Sequence, residues 1–368
     1  MSTVAVQDRV RAGVPLRIAG GASWLDAGRP VSSSQSISLA DDVAILEYVP
    51  GDLTLTARAG ATLSSIARAT GAEGQWLALD PFGASAGTLG ATIATGSSGP
   101  LAHAFGTPRD TVLGLEVVTG AGEIVRAGGR VVKNVAGFDL TRLFTGAWGT
   151  LAVITEATVR LRARPECDET LAVALPAESE MDPWLARLRA LPFSPLALEL
   201  VNAPLATALG LEPRALLLAR LGGNDHSVRA QRQLLGAFGD AVAAPTSMWS
   251  ALAGIEPAGA AVARVSAPPS RLHALWSRLA TSLDRDVLAH ATVGRGIVRS
   301  IRPLSHTTPI AIWLGELARC EGTRIFERLP SSDWNRVPSR VNDPLSRAVR
   351  TAFDPARILN RGILGDHA

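Results

Sequence analysis

Short apolar or alternating runs, separated by glycines and polar residues, fill the first 165 residues of the chain and predict β-strands. These runs are residues 16–18, 45–49, 53–57, 112–118, 123–126, 151–154 and 158–162. Two of them enclose Gly120-Ala121-Gly122, an arrangement that predicts a hairpin. A short helix is predicted at 63–70, because Thr62 is a good N-cap and Gly71 follows the last helical position.

Beyond residue 165 the glycines thin out and longer amphipathic stretches appear. The predicted helices of this part are 181–190 and 227–238, and the predicted strands are 196–200 and 216–221. The stretch 241–263 is rich in Ala, Gly and Pro and predicts a connection without regular structure. We therefore predict a domain boundary near residue 165 and a fold that mixes α and β elements.

Length and charge indicate the number of domains and exclude some kinds of partner. The 368 residues suffice for about two domains. The 36 basic and 33 acidic side chains give a net charge of +3, and every basic residue except Lys133 is an arginine. The arginines are scattered, whereas nucleic-acid arms and polybasic membrane anchors carry blocks of like charge. No nucleic-acid partner is expected.

Cysteine usage and hydropathy predict a cytoplasmic protein. Cys167 and Cys320 are too few for a disulfide framework, or for an iron–sulfur cluster, which needs about four thiolates. Residues 1–17 lack the apolar core of a signal peptide. No uncharged apolar run approaches the roughly 20 residues of a membrane span. Any peripheral association with the inner face of a membrane would therefore come through partners.

The segment 80–106 is the densest chemical signal in the sequence. It contains Gly83, Gly87, Gly90, Gly96, Gly99 and Gly106. Glycines let backbone N–H groups face a ligand, and a concave run of such groups binds anions without a charged side chain. Gly20-Gly21-Ala22-Ser23 repeats this composition after the first predicted strand. Two such loops suit a ligand with a pyrophosphate and a flat ring, whereas one alone is more typical of a surface loop.

Other nucleotide and hydrolase motifs fit poorly. No G-x-G-x-x-G lies between a strand and a helix, and no P-loop glycines precede Lys133. Residues 83–87 read GASAG and match the G-x-S-x-G elbow of serine hydrolases, with Ser85 as nucleophile. That elbow needs a strand directly before it and a helix directly after it. Asp80-Pro81 breaks a strand, and 88–99 is too rich in Gly and Thr to predict a helix.

A longer block identifies a family. Residues 130–140 read RVVKNVAGFDL and residues 144–150 read FTGAWGT. Together with the glycine-rich segment, this block resembles the FAD-binding domain of the vanillyl-alcohol oxidase and p-cresol methylhydroxylase (PCMH) family. Within that family it is similar to the FAD-binding accessory subunits of bacterial glycolate oxidases. The resemblance is strongest from 19 to 161 and returns at 353–362.

The resemblance implies an α+β fold in three parts. Residues 1–165 would form a PCMH-type FAD-binding domain of two α/β subdomains, and residues 166–344 a cap-like second α+β domain. Residues 345–368 would form a C-terminal segment that returns to the flavin.

The resemblance also assigns cofactor contacts by position. The residues expected to bind FAD are Gly20, Gly21, Ala22, Ser23, Gly87, Thr88, Gly90, Ala91, Thr95, Gly96, Ser98, Gly99, Gly149, Thr150, Ile154 and Asn360. The first four would form a phosphate-binding turn, and the next eight would line the pyrophosphate and the inner edge of the flavin. Gly149, Thr150 and Ile154 would lie along the adenosine. Asn360 would touch the flavin ring, although Asn360-Arg361-Gly362 replaces the frequent Asn-Pro-Gly of the family.

Non-covalent FAD is expected, because Ala22-Ser23 stand where some relatives carry a linking histidine and no cysteine precedes Cys167. His103 is better explained as a packed or hydrogen-bonded side chain. Lys133 is a candidate for modulating the flavin, since a fixed cation beside the ring would stabilise its reduced form. The competing interpretation is a solvated surface lysine. Asp139 is better explained as the N-cap of a helix at 140–144.

The substrate motif of the family is incomplete in this chain. Hydroxy-acid dehydrogenases of the family carry His-Ala-Gly-Asp-Gly-Asn-x-His, in which two histidines suit a divalent metal. The corresponding stretch starts at His290, reads HATVGRGI and lacks the Asp, the Asn and the second His. His273, His290 and His306 are too widely spaced for a local ligand cluster, so no metal is expected.

These features together imply a non-covalent FAD-binding subunit of a glycolate oxidase complex. A sister FAD-binding subunit would hold the small 2-hydroxy acid. A third subunit would contain iron–sulfur clusters, through which electrons would pass toward a quinone. One alternative is a free-standing FAD-dependent 2-hydroxyacid dehydrogenase in which Arg295 or Arg299 holds the carboxylate. A second is a non-redox assembly subunit with a vestigial FAD site, and a third is the serine hydrolase.

Overall fold

A computed structural model of the chain describes residues 1–33, 35–83, 87–129, 138–281, 287–305 and 309–366. The chain divides into two compact units. Unit 1 comprises Met1–Gly99, Gly106–Arg164 and Ser331–Ala368, and unit 2 comprises Pro100–Phe105 and Pro165–Pro330. In the described ranges, no helix is long and apolar enough to cross a membrane.

Strands and helices alternate along the chain. The strands are β1 Leu16–Ala19, β2 Gln35–Ser38, β3 Ile45–Val49, β4 Thr54–Arg58, β5 Gln75–Trp76, β6 Val112–Thr119, β7 Ile124–Gly128, β8 Ala152–Arg160, β9 Arg162–Ala163, β10 Cys167–Ala174, β11 Ala197–Val201, β12 Leu216–Gly223, β13 Ala241–Ala244, β14 Ala261–Ser266, β15 Leu288–Thr292, β16 Ile297–Arg302 and β17 Thr323–Arg328. The α-helices are α1 Thr3–Arg11, α2 Leu63–Gly71, α3 Leu89–Thr95, α4 Ala102–Phe105, α5 Pro108–Thr111, α6 Leu140–Phe144, α7 Met181–Arg189, α8 Ala203–Ala208, α9 Asp225–Leu235, α10 Met248–Ala253, α11 Leu272–Trp276, α12 Ile310–Arg319 and α13 Pro344–Phe353.

The main sheet of unit 1 is antiparallel, with the strand order β3-β4-β8-β6-β7. Side chains alternate between its two faces, so that Ala157 and Val159 of β8 are fully buried while Thr158 and Arg160 are partly exposed. Apolar residues of α2 and α3 pack into the same core. The sheet and these helices form the core of unit 1, and the loops of the unit connect them.

Strand β1 joins the two ends of the chain within unit 1. It pairs in parallel with β2 through four residues. On its other side, the N–H of Leu16 donates to the carbonyl of Ile358 at 2.7 Å, and the N–H of Asn360 donates to the carbonyl of Leu16 at 3.0 Å. The C-terminal tail therefore extends the β1–β2 ladder by one short strand-like segment.

Unit 2 is built on one antiparallel sheet. Within the described residues its eight strands have the order β13-β10-β12-β11-β15-β16-β14-β17. All five residues of β11 and all five residues of β15 are buried, which is expected for strands at the centre of a sheet. Helices α11 and α12 contribute the buried side chains of Trp276 and Trp313 to the unit.

Two predictions about strands and connections are wrong. The runs 151–154 and 158–162 belong to one strand, β8, because Glu156 between them continues the pairing with β4 and β6. The stretch 241–263 contains β13, α10 and the beginning of β14. Its regular structure comes from burial, since Trp249 and Leu252 give α10 an apolar face.

The prediction that 88–99 is not helical is also wrong, because this segment contains α3. The side chain of Thr88 caps the helix by accepting a hydrogen bond from the N–H of Ala91. The hydroxyls of Thr92 and Thr95 donate to carbonyls one turn earlier, at 2.9 and 2.8 Å. Gly96 ends the helix with a φ of 64°. Local side-chain bonds and a glycine C-cap thus offset the weak helix propensity of Gly and Thr.

The boundaries of the two units differ from the predicted ranges in two places. The C-terminal return to unit 1 begins at Ser331, whereas the sequence predicts residue 345. The segment Pro100–Phe105 groups with unit 2, where Nε of Arg295 donates to the carbonyl of Ala102 at 2.8 Å. Such groupings depend on contacts between distant residues, which composition does not reveal.

Candidate functional site

Unit 1 contains a cavity with about 790 Å³ of space free of protein atoms, part of it open to solvent. The walls come from β1 and the loop after it, from α3, from the segment that leads into β8 and from the C-terminal tail. All of these elements belong to unit 1.

The loop after β1 forms the first wall and lies close to α3. A Cβ atom on Gly20 would come within 2.3 Å of Oγ1 of Thr88, so only glycine fits at this position. Ala22 adopts a left-handed backbone conformation with a φ of 60°. Because Gly20, Gly21, Ala22 and Ser23 have small side chains or none, a ligand at this wall meets mostly backbone.

Helix α3 forms the second wall, with Thr88, Gly90, Ala91 and Thr95 on the lining. Gly90 packs so tightly on the chain after β4 that an added Cβ atom would lie 2.6 Å from Cβ of Ala59. The missing side chain therefore lets the helix lie directly against the sheet, which brings its small residues to the cavity.

Asn360 joins the wall formed by the C-terminal tail to the other walls. Its Oδ1 accepts a hydrogen bond from the N–H of Ile18, and its Nδ2 donates to the carbonyl of Trp148, each at 2.8 Å. An added Cβ atom on Gly149 would lie 2.9 Å from this Nδ2. The Asn360 side chain is only 4% exposed, so the two bonds hold β1 and the Trp148 segment at a fixed separation.

Strained backbone is concentrated at the cavity. The non-glycine residues with positive φ in the described ranges are Ala22, Leu53, Trp148, Arg357 and Asn360. Ala22, Trp148 and Asn360 line the cavity. Residues in such conformations persist where the surrounding structure over-determines them, and they cluster at ligand sites.

The cavity brings together most of the residues that the sequence assigns to the cofactor. Those on its lining are Gly20, Gly21, Ala22, Ser23, Thr88, Gly90, Ala91, Thr95, Gly149, Ile154 and Asn360. Those beyond the lining are Gly87, Gly96, Ser98, Gly99 and Thr150. Lys133 and Ser85, the candidate flavin modulator and hydrolase nucleophile, lie outside the described residues. The cofactor contacts themselves stay predictions.

Sequence reasoning missed Arg17, Trp24, Leu25, Trp148 and Ile363, which also line the cavity. The rings of Trp24 and Trp148 stack with centroids 6.1 Å apart and planes at 22°. Trp148 lies within the block FTGAWGT, on which the family resemblance rests, so the sequence already pointed to this segment. Ile363 follows Asn360 in the tail, and only the return of the tail brings it to the cavity.

Unit 2 holds the stretch that corresponds to the substrate motif of the family. His290 on β15 is buried, and its Nδ1 lies 2.5 Å from Oε1 of Glu199 on β11. Burial raises the pKa of Glu199 well above its ordinary value. Burial, and then the positive charge of Arg299, lower the pKa of His290 to about 3. Arg299 is itself buried between the carboxylates of Glu256 and Glu327.

The two arginines considered as carboxylate ligands are both engaged by protein groups. Arg299 forms the ion pairs just described, and Nε of Arg295 donates to the carbonyl of Ala102 at 2.8 Å. Burial, and then the charge of Arg295, lower the pKa of His103 to about 4. In the part of the chain that the structure describes, no group of three His, Cys, Asp or Glu side chains could hold a metal ion. His306 lies outside that part.

Comparison with known proteins adds to this geometry. Residues 4–128 match the profile of the family described as FAD binding domain. The chain is 38% identical over 227 residues to glycolate oxidase subunit GlcE of Escherichia coli (strain K12), a match covering 60% of each chain. It is 34% identical over 216 residues to glycolate oxidase subunit GlcD of Bacillus subtilis (strain 168), covering 55% of this chain and 46% of that one. Its fold is similar to that of alkyldihydroxyacetonephosphate synthase, with a TM-score of 0.69 and 18% identity over 97% of this chain and 73% of the other.

The glycine-rich cavity and the matched region define a flavin-binding protein of mixed α and β structure. Residues 4–128 match the family described as FAD binding domain, and FAD is the cofactor that this match and the flavoprotein relatives support. The resemblance, the fold class and the cofactor predicted from the sequence are thereby confirmed. The chain spans 60% and 46% of the lengths of the two glycolate oxidase relatives.

The residues of the cavity fit this cofactor. Close packing at Gly20 and Gly90 leaves no room for side chains between β1, α3 and the sheet, so the backbone forms much of the surface. Backbone N–H groups bind diphosphate oxygens without a permanent charge. Trp24 and Trp148 add an apolar wall that suits a flat ring system.

Proposed function

We propose that this chain is a non-covalent FAD-binding subunit of a glycolate oxidase (glycolate dehydrogenase) complex, which oxidises glycolate to glyoxylate. The observation that carries the proposal is a strained, glycine-rich cavity in a chain similar over 227 residues to a protein named as a glycolate oxidase subunit. The partners in the proposal are a sister FAD-binding subunit and an iron–sulfur subunit. The complex is placed in the cytoplasm, with any membrane association supplied by its partners.

The residues of this chain hold and shield the cofactor. The backbone of the Gly20–Ser23 turn would bind the diphosphate, and Asn360 would keep two walls of the cavity at a fixed separation. The stacked rings of Trp24 and Trp148 would cover one side of the bound cofactor. When bound, FAD supplies an acceptor for the two electrons that leave a 2-hydroxy acid.

Substrate oxidation is assigned to the sister subunit. The reaction needs a base for the hydroxyl proton and a cation or metal for the carboxylate. In unit 2, His290 pairs with Glu199, and Arg299 pairs with Glu256 and Glu327, so these candidate groups are already engaged. The chain has two cysteines, and an iron–sulfur cluster needs about four thiolates, which supports placing the clusters on another subunit.

A free-standing 2-hydroxyacid dehydrogenase is the second candidate function. It is favoured by 34% identity over 164 residues to a protein named D-lactate dehydrogenase from Archaeoglobus fulgidus, a match covering 44% of this chain and 37% of that one. The two candidates differ in one measurable respect, namely whether the isolated chain oxidises substrate.

The deciding experiment purifies this chain alone and together with its FAD-binding and iron–sulfur partner subunits. Flavin per chain, release of flavin by acid, and dye reduction with glycolate or D-lactate are measured on both preparations. We expect acid-released FAD in both and glycolate-dependent reduction only in the complex. Reduction by the isolated chain would favour the free-standing enzyme. A chain without flavin in either preparation would favour the non-redox assembly subunit.

A further inference from the structure

Arg17 is a charged residue on the wall of a cavity otherwise lined by apolar and small polar side chains. It lies on β1, three residues before Gly20, with which the next loop begins. Its Nη2 donates a hydrogen bond to the carbonyl of Leu25 at 2.7 Å, which places the guanidinium beside this loop. Of the described residues that line the cavity, Arg17 alone carries a formal charge at neutral pH.

The charge of Arg17 lacks an acidic neighbour in the described part of the chain. Burial lowers the pKa of Arg17, and no carboxylate contributes to this shift. Desolvation of a cation acts in that direction, whereas a nearby anion would oppose it. A partly buried cation without a counter-charge is unfavourable, so an anion that enters the cavity would relieve this cost.

We propose that Arg17 is a cofactor-binding residue that supplies the counter-charge for the diphosphate of FAD. This inference rests on the proposed FAD site in unit 1. A guanidinium has five N–H donors in a rigid plane and matches phosphate oxygens in pairs. The bond to Leu25 uses one donor and fixes the orientation of the plane, so Arg17 meets the diphosphate without first losing side-chain freedom.

The test compares Arg17→Gln with Arg9→Gln in the full chain after removal of flavin. Arg9 is a matched control, because its Nη2 also donates one hydrogen bond to a backbone carbonyl, that of Ser36, and it does not line the cavity. The dissociation constant of FAD is measured by flavin fluorescence at several salt concentrations. A third variant, Arg17→Lys, keeps the charge but not the planar donors.

We expect Arg17→Gln to weaken FAD binding about tenfold at low salt, the size typical of a charge-assisted contact. Its FAD affinity should also depend less on salt than that of the wild type, because one ionic contact is gone. Arg17→Lys should keep the salt dependence of the wild type. Arg9→Gln should match the wild type in both respects.

Two results would overturn the role of Arg17. One is an unchanged FAD affinity in Arg17→Gln, and the other is a loss of equal size at every salt concentration. If thermal unfolding shows that Arg17→Gln is misfolded, Arg17→Lys decides, since loss of the salt dependence in that variant also contradicts the proposal. A wild-type chain that binds no FAD would instead refute the proposed function.

Discussion

A single carboxamide sets the separation of two walls of the cavity. Asn360 accepts from Ile18, which lies 342 positions away in the sequence, and donates to Trp148, which lies 212 positions away. Its own φ of 42° is in the left-handed region, where Asn is tolerated better than most residues. Because both side-chain bonds go to backbone groups, we assign Asn360 a positioning role in addition to the expected contact with the flavin.

Replacing Asn360 by Ala removes the partner of a partly buried N–H group, that of Ile18, and of a buried carbonyl, that of Trp148. Each such group costs about 1–3 kcal/mol when it is left unpaired. We therefore expect Asn360→Ala to lower the free energy of unfolding by about 2–6 kcal/mol and to weaken FAD binding. Urea unfolding of the flavin-free chain and titration with FAD measure the two effects.

The variant Asn360→Gly distinguishes the effect of losing the two side-chain hydrogen bonds from the effect of straining the backbone. Glycine adopts a φ of 42° without strain, so this variant loses only the side-chain bonds. We expect it to be more stable than Asn360→Ala and to bind FAD as weakly. An Asn360→Gly chain with the stability and FAD affinity of the wild type would contradict the positioning role.

At the scale of elements, the C-terminal tail is held by the loop that follows the glycine turn. The guanidinium of Arg29 donates to the carbonyls of Trp334, Val337 and Pro338 at 2.7, 2.7 and 3.0 Å. It also lies 5.2 Å from the centre of the Trp334 ring. The N–H of Arg29 donates to the carbonyl of Ile363, a lining residue of the cavity. One arginine thus connects the beginning of the tail with its end.

Arg29→Gln should loosen the tail and thereby the cavity. Loss of charged hydrogen bonds predicts a drop of about 1–3 kcal/mol in the free energy of unfolding. We also expect faster proteolysis between Ser331 and α13, and faster release of FAD. Limited digestion and the rate of flavin release measure these effects.

Arg187→Gln is the matched control for Arg29→Gln. Arg187 lies over the ring of Phe238 at 5.0 Å and donates to the carbonyl of Ala237, but it belongs to unit 2. It should leave FAD release unchanged. Equal release rates in the two variants would show that Arg29 has no specific connection with the cavity.

At the scale of the whole molecule, the buried pair Glu199–His290 makes stability depend on pH. Burial raises the pKa of Glu199 and, together with the charge of Arg299, lowers that of His290 to about 3, so the folded pair holds one proton near neutrality. From the ordinary values of 4.5 and 6.5, the unfolded pair holds two protons below pH 4.5, one between pH 4.5 and 6.5, and none above. The contribution of the pair to the free energy of unfolding is therefore constant between pH 4.5 and 6.5 and decreases below and above this range.

The two flanks have different causes. Below pH 4.5 the unfolded pair binds a second proton, whereas the folded His290 stays neutral down to its lowered pKa of about 3. Stability therefore falls as the pH falls. Above pH 6.5 the folded Glu199 keeps a proton that the unfolded chain has released, so stability falls as the pH rises.

Glu199→Gln should remove the alkaline flank, because Gln does not titrate. Only His290 then responds, so stability should rise with pH up to about 6.5 and stay level above it. The slope cannot exceed about 1.4 kcal/mol per pH unit for one proton. Urea unfolding between about pH 4 and pH 9 at constant ionic strength measures the profile.

Glu212→Gln is the control for this profile. Glu212 is exposed and pairs with Arg214, which is also exposed, in the same unit, so its replacement should leave the pH profile unchanged. Parallel profiles for the wild type and Glu199→Gln would show that the buried pair does not govern the pH dependence.

Local features of the sequence were sufficient for several elements and for the class of cofactor. Thr62 and Asp139 are confirmed as N-caps of α2 and α6, because a cap bonds to a backbone group only a few residues away. The hairpin of β6 and β7 is confirmed for the same local reason. The resemblance to an FAD-binding family followed from a long, specific run of residues, and the match of residues 4–128 to the family described as FAD binding domain confirms this resemblance.

Only the tertiary structure decided which distant residues complete the site. It brings Asn360 to Ile18 and Trp148, and it pairs Glu199 with His290 across 91 positions. It also made 241–263 regular through burial of Trp249. The sequence by itself determined the β6–β7 hairpin, the N-caps of α2 and α6 and the small residues of the loops, because those features depend on neighbours along the chain. Which side chains meet across the fold depends on packing between elements, and no periodicity or spacing contains that information.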